Sequence, residues 1–135
     1  MEKVKKGEGW TIAVLAILTG AGILLFWAAF FTVGLAPENP PVCYFAFEHS
    51  FPLPDSILAL ALLVSGILIL RNRAPGRGLA LVCAGGLMFL GLLDFSFNIQ
   101  NGMYTLSVMD AVFSGFLNLW CVFFGLVLIS RFMKG

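Results

Sequence analysis

Apolar residues fall in four long blocks that are separated by shorter polar segments. The blocks cover residues 11–35, 54–71, 78–99 and 106–130. An apolar helix needs about 20 residues to cross the roughly 30 Å hydrocarbon core of a bilayer. In lipid, backbone polar groups are satisfied only in helices or closed barrels, and these blocks are too long and too evenly apolar for barrel strands. The pattern therefore predicts an all-α, integral membrane four-helix bundle.

The composition supports this class. The chain of 135 residues is 60% apolar and 11% charged, whereas a water-soluble domain has about 45–50% apolar and about 25% charged residues. The length predicts a single transmembrane domain, residues 1–135. A signal peptide is the alternative interpretation of the first block, but the block is much longer than the roughly 7–15 residues of a signal h-region. We interpret it as a span.

The basic residues predict the orientation of the bundle. All eight lie before the first block, between the second and third, or after the fourth: Lys3, Lys5, Lys6, Arg71, Arg73, Arg77, Arg131 and Lys134. With four crossings, these three places share one side of the membrane. By the positive-inside rule, this distribution predicts a multi-pass protein of the cell membrane with both termini in the cytoplasm.

The segment 36–53 is the one long connection between spans. This segment and the residue that follows it hold five of the six prolines, together with several aromatic residues. Proline restricts the backbone, and aromatic rings favour the membrane interface. We predict a rigid, Pro/aromatic-rich outer loop that is either an interfacial aromatic belt or a lid.

Each predicted helix carries two small residues four positions apart. The pairs are Ala16 and Gly20, Ala61 and Ser65, Ala80 and Ala84, and Ala111 and Gly115. Small residues let helix backbones approach closely in lipid, where packing replaces the hydrophobic driving force. The pairs predict a packed bundle.

Polar residues gather near the outer end of the third and fourth spans. Asp94 lies about 24 Å along its helix from the cytoplasmic start, at about 1.5 Å per residue, and Asp110 lies close to the outer start of the next helix. Asn98 shares a helix face with Asp94, Asn118 shares one with Asp110, and Tyr104 lies in the turn between the two helices. The two acids should therefore occupy similar depths.

Three more ionisable residues reach this level, namely Glu48, His49 and Asp55. A charged side chain costs at least about 2.5–3.5 kcal/mol at the centre of a membrane, so it normally faces the bundle interior or a watery cavity. We predict an acidic cavity that opens to the outer side. Its candidate ligand-binding residues are Asp94, Asp110, Asn98, Asn118, Glu48, His49 and Tyr104.

Structural roles are the alternatives for these residues. Asp55 precedes an apolar helix, which favours an N-cap. Asp94 and Asp110 could hydrogen-bond to asparagines and lock the bundle, and a lone histidine such as His49 is more often an interfacial residue than a ligand. Glu48, His49 and one aspartate are suitable metal ligands by type, but adjacent residues rarely point at one ion. A metal therefore stays undecided.

Several other chemistries are excluded. The three cysteines are not placed for a disulfide or a redox pair, and we predict no cofactor and no nucleic-acid partner. The lipid bilayer is the one partner that composition implies, and a homo-oligomer or a larger membrane complex is compatible with the sequence.

Three functional hypotheses remain. The first is binding or transport of a cation, an amine or an amphipathic, lipid-like small ligand. The second is an accessory or assembly subunit of a membrane complex. The third is a membrane enzyme that acts on a lipid-soluble substrate with a carboxylate and His49 as acid and base. The sequence leaves enzymatic activity undecided and favours its absence.

Overall fold

The computed structural model describes residues 6–133, and the side chains of residues 9–133. Its long helices are α1 (Lys6–Thr32), α3 (Pro52–Leu70), α4 (Pro75–Gln100) and α5 (Val108–Phe132), and each is long and apolar enough to cross a membrane. The predicted all-α four-helix bundle is confirmed, and it indicates a multi-pass membrane protein. The orientation stays a prediction, and Lys3, Lys5 and Lys134 lie outside the described residues.

The connection between α1 and α3 contains a short helix that the sequence did not predict, α2 (Tyr44–Glu48). We call the end of the bundle that carries α2 the acidic end, and the end that carries the α3–α4 turn the basic end. At the acidic end, the connection from α4 to α5 contains a 3-10 turn (Met103–Thr105). The preceding Gly102 has φ 65°, a left-handed conformation that favours glycine.

The helix starts follow local chemistry. α3 and α4 begin at prolines, whose missing N–H is not needed in the first helical turn. Ser107 caps α5, and its Oγ accepts the backbone N–H of Asp110 at 3.0 Å. The predicted N-cap role of Asp55 is wrong, because α3 starts earlier and its N-cap is Phe51.

Two pairs of helices pack through glycines, and α1 with α3 is the first pair. A methyl group added to Gly20 would lie 2.7 Å from the carbonyl oxygen of Ala59, and one added to Gly66 would lie 2.8 Å from that of Ala13. Real Cβ atoms essentially never come that close to another heavy atom. The two backbones are therefore in direct contact.

The pair of α4 and α5 repeats this arrangement. Methyl groups added to Gly91 and Gly125 would each lie 2.9 Å from a backbone carbonyl of the facing helix. The small-residue prediction holds for Ala80 and Ala84, which are buried. It is wrong for Gly115, which has open space where a side chain would be.

The helices contact one another in the order α1, α3, α4, α5. The first and last members of this series, α1 and α5, show no comparable packing within the described part of the chain. Side-chain contacts bridge them, among them one hydrogen bond and one ring stack. The Trp120 indole donates a hydrogen bond to Thr19 Oγ1 at 3.1 Å, and the Phe26 and Phe113 rings stack with centroids 6.2 Å apart.

Candidate functional site

A cavity of about 390 Å³ occupies the space between α1 and α5. We call this space the α1/α5 cleft. Its apolar and aromatic walls include Leu18, Gly22, Ile23 and Phe26 from α1 and Phe116, Leu117, Trp120 and Cys121 from α5. The cavity exists because the Gly-mediated contacts hold α1 on α3 and α5 on α4, while no such contact closes the remaining side.

Acidic and amide side chains from four helices line the same cavity. α2 contributes Glu48, α3 Asp55, α4 Asp94 and α5 Asn118. No lysine, arginine or histidine is among the described residues that line it. The charged groups that act most strongly on Glu48 are Asp94 and Asp55, which are themselves acids. The site is therefore a group of acidic side chains in an apolar cavity.

Asp55 is held in place by α1. The indole Nε1 of Trp27 donates a hydrogen bond to Asp55 Oδ2 at 2.9 Å, and both residues are buried. This contact joins α1 to α3 and gives the carboxylate one fixed partner. No sequence pattern distinguishes Trp27, which lies inside an uninterrupted apolar block.

Glu48 reaches the cavity because α2 is anchored to the bundle by aromatic rings. Phe47 stacks on Phe97 of α4 with centroids 3.8 Å apart and planes 4° from parallel, and Tyr44 is buried. Glu48, the last residue of α2, lines the cavity. Within the described part of the chain its carboxylate has no hydrogen-bond partner, which leaves it available to a ligand.

Asp94 lies beside a small hydrogen-bond network. Asn118 Nδ2 donates to the Tyr104 hydroxyl at 2.7 Å, and Asn98 Nδ2 lies 3.4 Å from both that hydroxyl and Asp94 Oδ2. The network connects α4, the 3-10 turn and α5. Asn98 and Tyr104 thus lie behind the cavity wall, whereas Asn118 lines the cavity itself.

Two further predicted site residues, in addition to Asn98 and Tyr104, do not line the main cavity. Asp110 accepts a hydrogen bond from the Ser107 hydroxyl at 2.7 Å at the start of α5, and it lines a second cavity of about 60 Å³. His49 is exposed, with its ring 5.8 Å from that of Phe31. His49 lines neither cavity, so the described structure does not form the acid–base pair that the enzyme hypothesis required.

The structure also bears on metal binding and on the position of the cavity. Within residues 6–133, no group of three or more His, Cys, Asp or Glu side chains is arranged to hold a metal ion. Most of the predicted cavity residues come from the third and fourth spans, which are now α4 and α5 and share one interface. Backbone contact at Gly91 and Gly125 fills that interface, and the larger cavity lies against α1 instead.

The fold and the site define a small multi-pass membrane protein with an apolar cavity that ends in carboxylates. Residues 7–133 match the family described as "Domain of unknown function (DUF8058)". Since this match covers nearly the whole chain, the protein belongs to that family. No curated protein and no solved structure matches the chain.

Proposed function

We propose that the α1/α5 cleft binds a small amphipathic amine. The ammonium group lies among Glu48, Asp55 and Asp94, and the apolar body of the ligand lies between α1 and α5. The observation that supports this function is the combination of apolar walls with three carboxylates and no basic residue among the described lining residues.

Electrostatics favours a cationic ligand at this place. Carboxylates brought together away from water repel one another, and each loses hydration. An ammonium group between them supplies opposite charge and hydrogen-bond donors, both of which are stronger in a poorly hydrated site than in water. Trp27 donates a hydrogen bond to Asp55, and Asn98 donates a longer one to Asp94, so Glu48 is the principal partner of the ammonium and Asp94 the second.

The size of the cavity favours a compact ligand. Small-molecule sites have volumes of about 300–1,000 Å³, and this cavity, at about 390 Å³, is near the lower limit. Binding is better supported than transport. Leu62, Leu87 and Leu128 are completely buried in the apolar core that the four long helices share, and such close packing leaves little room for a passage to the basic end.

A pair of ligands with the same shape tests the role of charge. Adamantylamine and adamantanol share one apolar cage, but only the first is a cation. We expect adamantylamine to raise the thermal unfolding temperature of the purified protein in lipid nanodiscs, because a ligand that binds only the folded state stabilises it by about 2.7 kcal/mol at 100 times its Kd. Adamantanol should have little effect, and Glu48→Gln should weaken the effect of the amine.

A pair of glycine variants tests the location. Gly22 lines the cleft and Gly85 lies on the exposed surface of α4, and a Cβ at either position meets open space. Gly22→Leu should abolish the stabilisation by adamantylamine, whereas Gly85→Leu should leave it unchanged. Equal stabilisation of both variants, or equal stabilisation by amine and alcohol, would contradict the proposed function.

A further inference from the structure

Two contacts that bridge α1 and α5 share one antiparallel register. Thr19 contacts Trp120, and Phe26 contacts Phe113. Phe26 follows Thr19 by seven residues, towards the acidic end of α1. Phe113 precedes Trp120 by seven residues, towards the start of α5. At about 1.5 Å per residue, the bridges lie about 10 Å apart along the helices. They frame an opening between the helices, which we call the lateral window.

The middle of the lateral window lacks side-chain contact. The register places Gly22 opposite Leu117, and a Cβ on Gly22 would have no heavy atom within 4 Å. Two cavity-lining residues at the edge of the window, Leu18 and Phe116, are 60% and 62% exposed. The cavity therefore opens on the lateral surface of the bundle, between α1 and α5.

The depth of the window determines what it faces. Gly22 lies close to the midpoint of the apolar span Gly9–Thr32, and Leu117 lies near the middle of the span Val108–Phe132. Side chains at the centre of a span face the hydrocarbon core of the bilayer. The lateral window thus opens into lipid acyl chains, not into water or headgroups.

The acidic end offers a much narrower route. The second cavity, of about 60 Å³, adjoins the main one at Phe26, Glu48, Asp94 and Leu117. This volume holds a few water molecules, each of which occupies about 30 Å³ in the liquid. It is too small for the apolar body of an amphipathic ligand.

We infer that the ligand is a lipid-dissolved amphiphile that reaches the carboxylates sideways through the lateral window. This inference rests on the proposed function and specifies its ligand class: an amine with an alkyl or other apolar body that partitions into the membrane. The apolar body remains at the depth of the hydrocarbon core while the ammonium group meets the carboxylates.

A reversible cross-link that holds α1 and α5 together at the edge of the window tests this route. The register that pairs Thr19 with Trp120 places Leu18 opposite the native Cys121, and both residues line the cavity. In a Cys43→Ser, Cys83→Ser background, Leu18→Cys provides two thiols that a bifunctional thiosulfonate joins and a reductant releases. The same protein with both thiols capped as methyl disulfides is the control. Native mass spectrometry of nanodiscs that contain dodecylamine measures the fraction of protein carrying the amine.

The order in which the cross-linker and dodecylamine are added distinguishes access to the site from binding at the site. When the cross-link is made first, we expect uptake of dodecylamine to be about tenfold slower than in the capped control, and reductant to restore it. When dodecylamine is added first, the cross-linked protein should retain it, which shows that the site itself is intact.

Three results would contradict the account, each at a different point. Equal uptake with and without the cross-link would overturn lateral access and leave the proposed function standing. Absence of dodecylamine from the capped control would contradict the proposed function itself. Failure of the two thiols to join through either a short or a long spacer would contradict the register on which the lateral window rests.

Discussion

Two glycines of α1, Gly20 and Gly22, lie two residues apart in opposite environments. A side chain at Gly20 would collide with the carbonyl oxygen of Ala59 on α3, whereas a side chain at Gly22 would meet nothing within 4 Å. Gly20 thus allows two backbones to touch. Gly22 leaves the α1/α5 cleft open. Glycine thus permits close backbone contact at the α1/α3 interface and leaves open space at the α1/α5 interface.

The comparison shows how a small bundle keeps a cavity in lipid. Membrane helices associate through close packing rather than through the hydrophobic effect, so an interface without close backbone contact is held only by its side-chain bridges. The α1/α3 and α4/α5 interfaces fix the bundle through glycines. The α1/α5 interface depends on the bridges made by Trp120 and Phe113, and the cavity lies along it.

Among the substitutions that test this comparison, Gly20→Leu should have the largest effect on stability. Because the new side chain would have to displace the backbone of α3, we expect Gly20→Leu to lower the free energy of unfolding by about 3 kcal/mol or more, at the upper end of overpacking costs. Gly22→Leu should leave stability unchanged or raise it by up to about 1 kcal/mol, because glycine is a poor helix former. Unfolding in bicelles measures both, and equal losses would remove the distinction between the two interfaces.

Loss of the buried hydrogen bond between α1 and α3 should have an intermediate effect. Trp27→Phe leaves Asp55 without its indole donor, and a buried polar group left unsatisfied costs about 1–3 kcal/mol. Trp10→Phe is the matched control, because Trp10 is 60% exposed. In an Asp55→Leu background, Trp27→Phe should cost much less. An equal cost in both backgrounds would show that packing of the indole, rather than its hydrogen bond to Asp55, matters.

The smallest effect should come from the bridge over the cleft. Thr19→Val removes the acceptor of the Trp120 indole, and interhelical hydrogen bonds in membranes contribute about 0.6 kcal/mol on average. Thr32→Val is the control, since both threonine hydroxyls bond to the carbonyl four residues earlier but Thr32 lies near the end of α1, outside the cleft. We expect a small loss of stability and faster release of dodecylamine in Thr19→Val only. Unchanged release would show that the hydrogen bond between Trp120 and Thr19 does not control exit through the lateral window.

The spans were predictable because long apolar blocks carry a strong signal. The predicted block 106–130 and α5 (Val108–Phe132) differ by two residues at each end. The short helix α2 was not predictable, because it lies among prolines and is stabilised by stacking of Phe47 on Phe97, a residue of a distant block. Local pattern does not encode such a contact.

The candidate site was predictable only in part. Glu48, Asp94 and Asn118 line the main cavity, and for Asp94 and Asn118 the signal is that polar residues in apolar blocks tend to face the bundle interior. Asp110 instead forms a capping contact with Ser107, and the capping pattern of serine followed three residues later by an acid was a signal that could have indicated it. Which helices enclose the cavity depended on glycine contacts between helices, which no single block reveals.

The most direct test of the central claim is the position of a bound amine. A crystal structure of the protein with a brominated adamantylamine gives an anomalous signal that locates the bromine independently of the protein. The account predicts one bromine peak in the α1/α5 cleft between Gly22 and Leu117, with the ammonium group directed towards Glu48 and Asp94. A peak only on the outer surface of the bundle, or an amine bound away from these carboxylates, would contradict it.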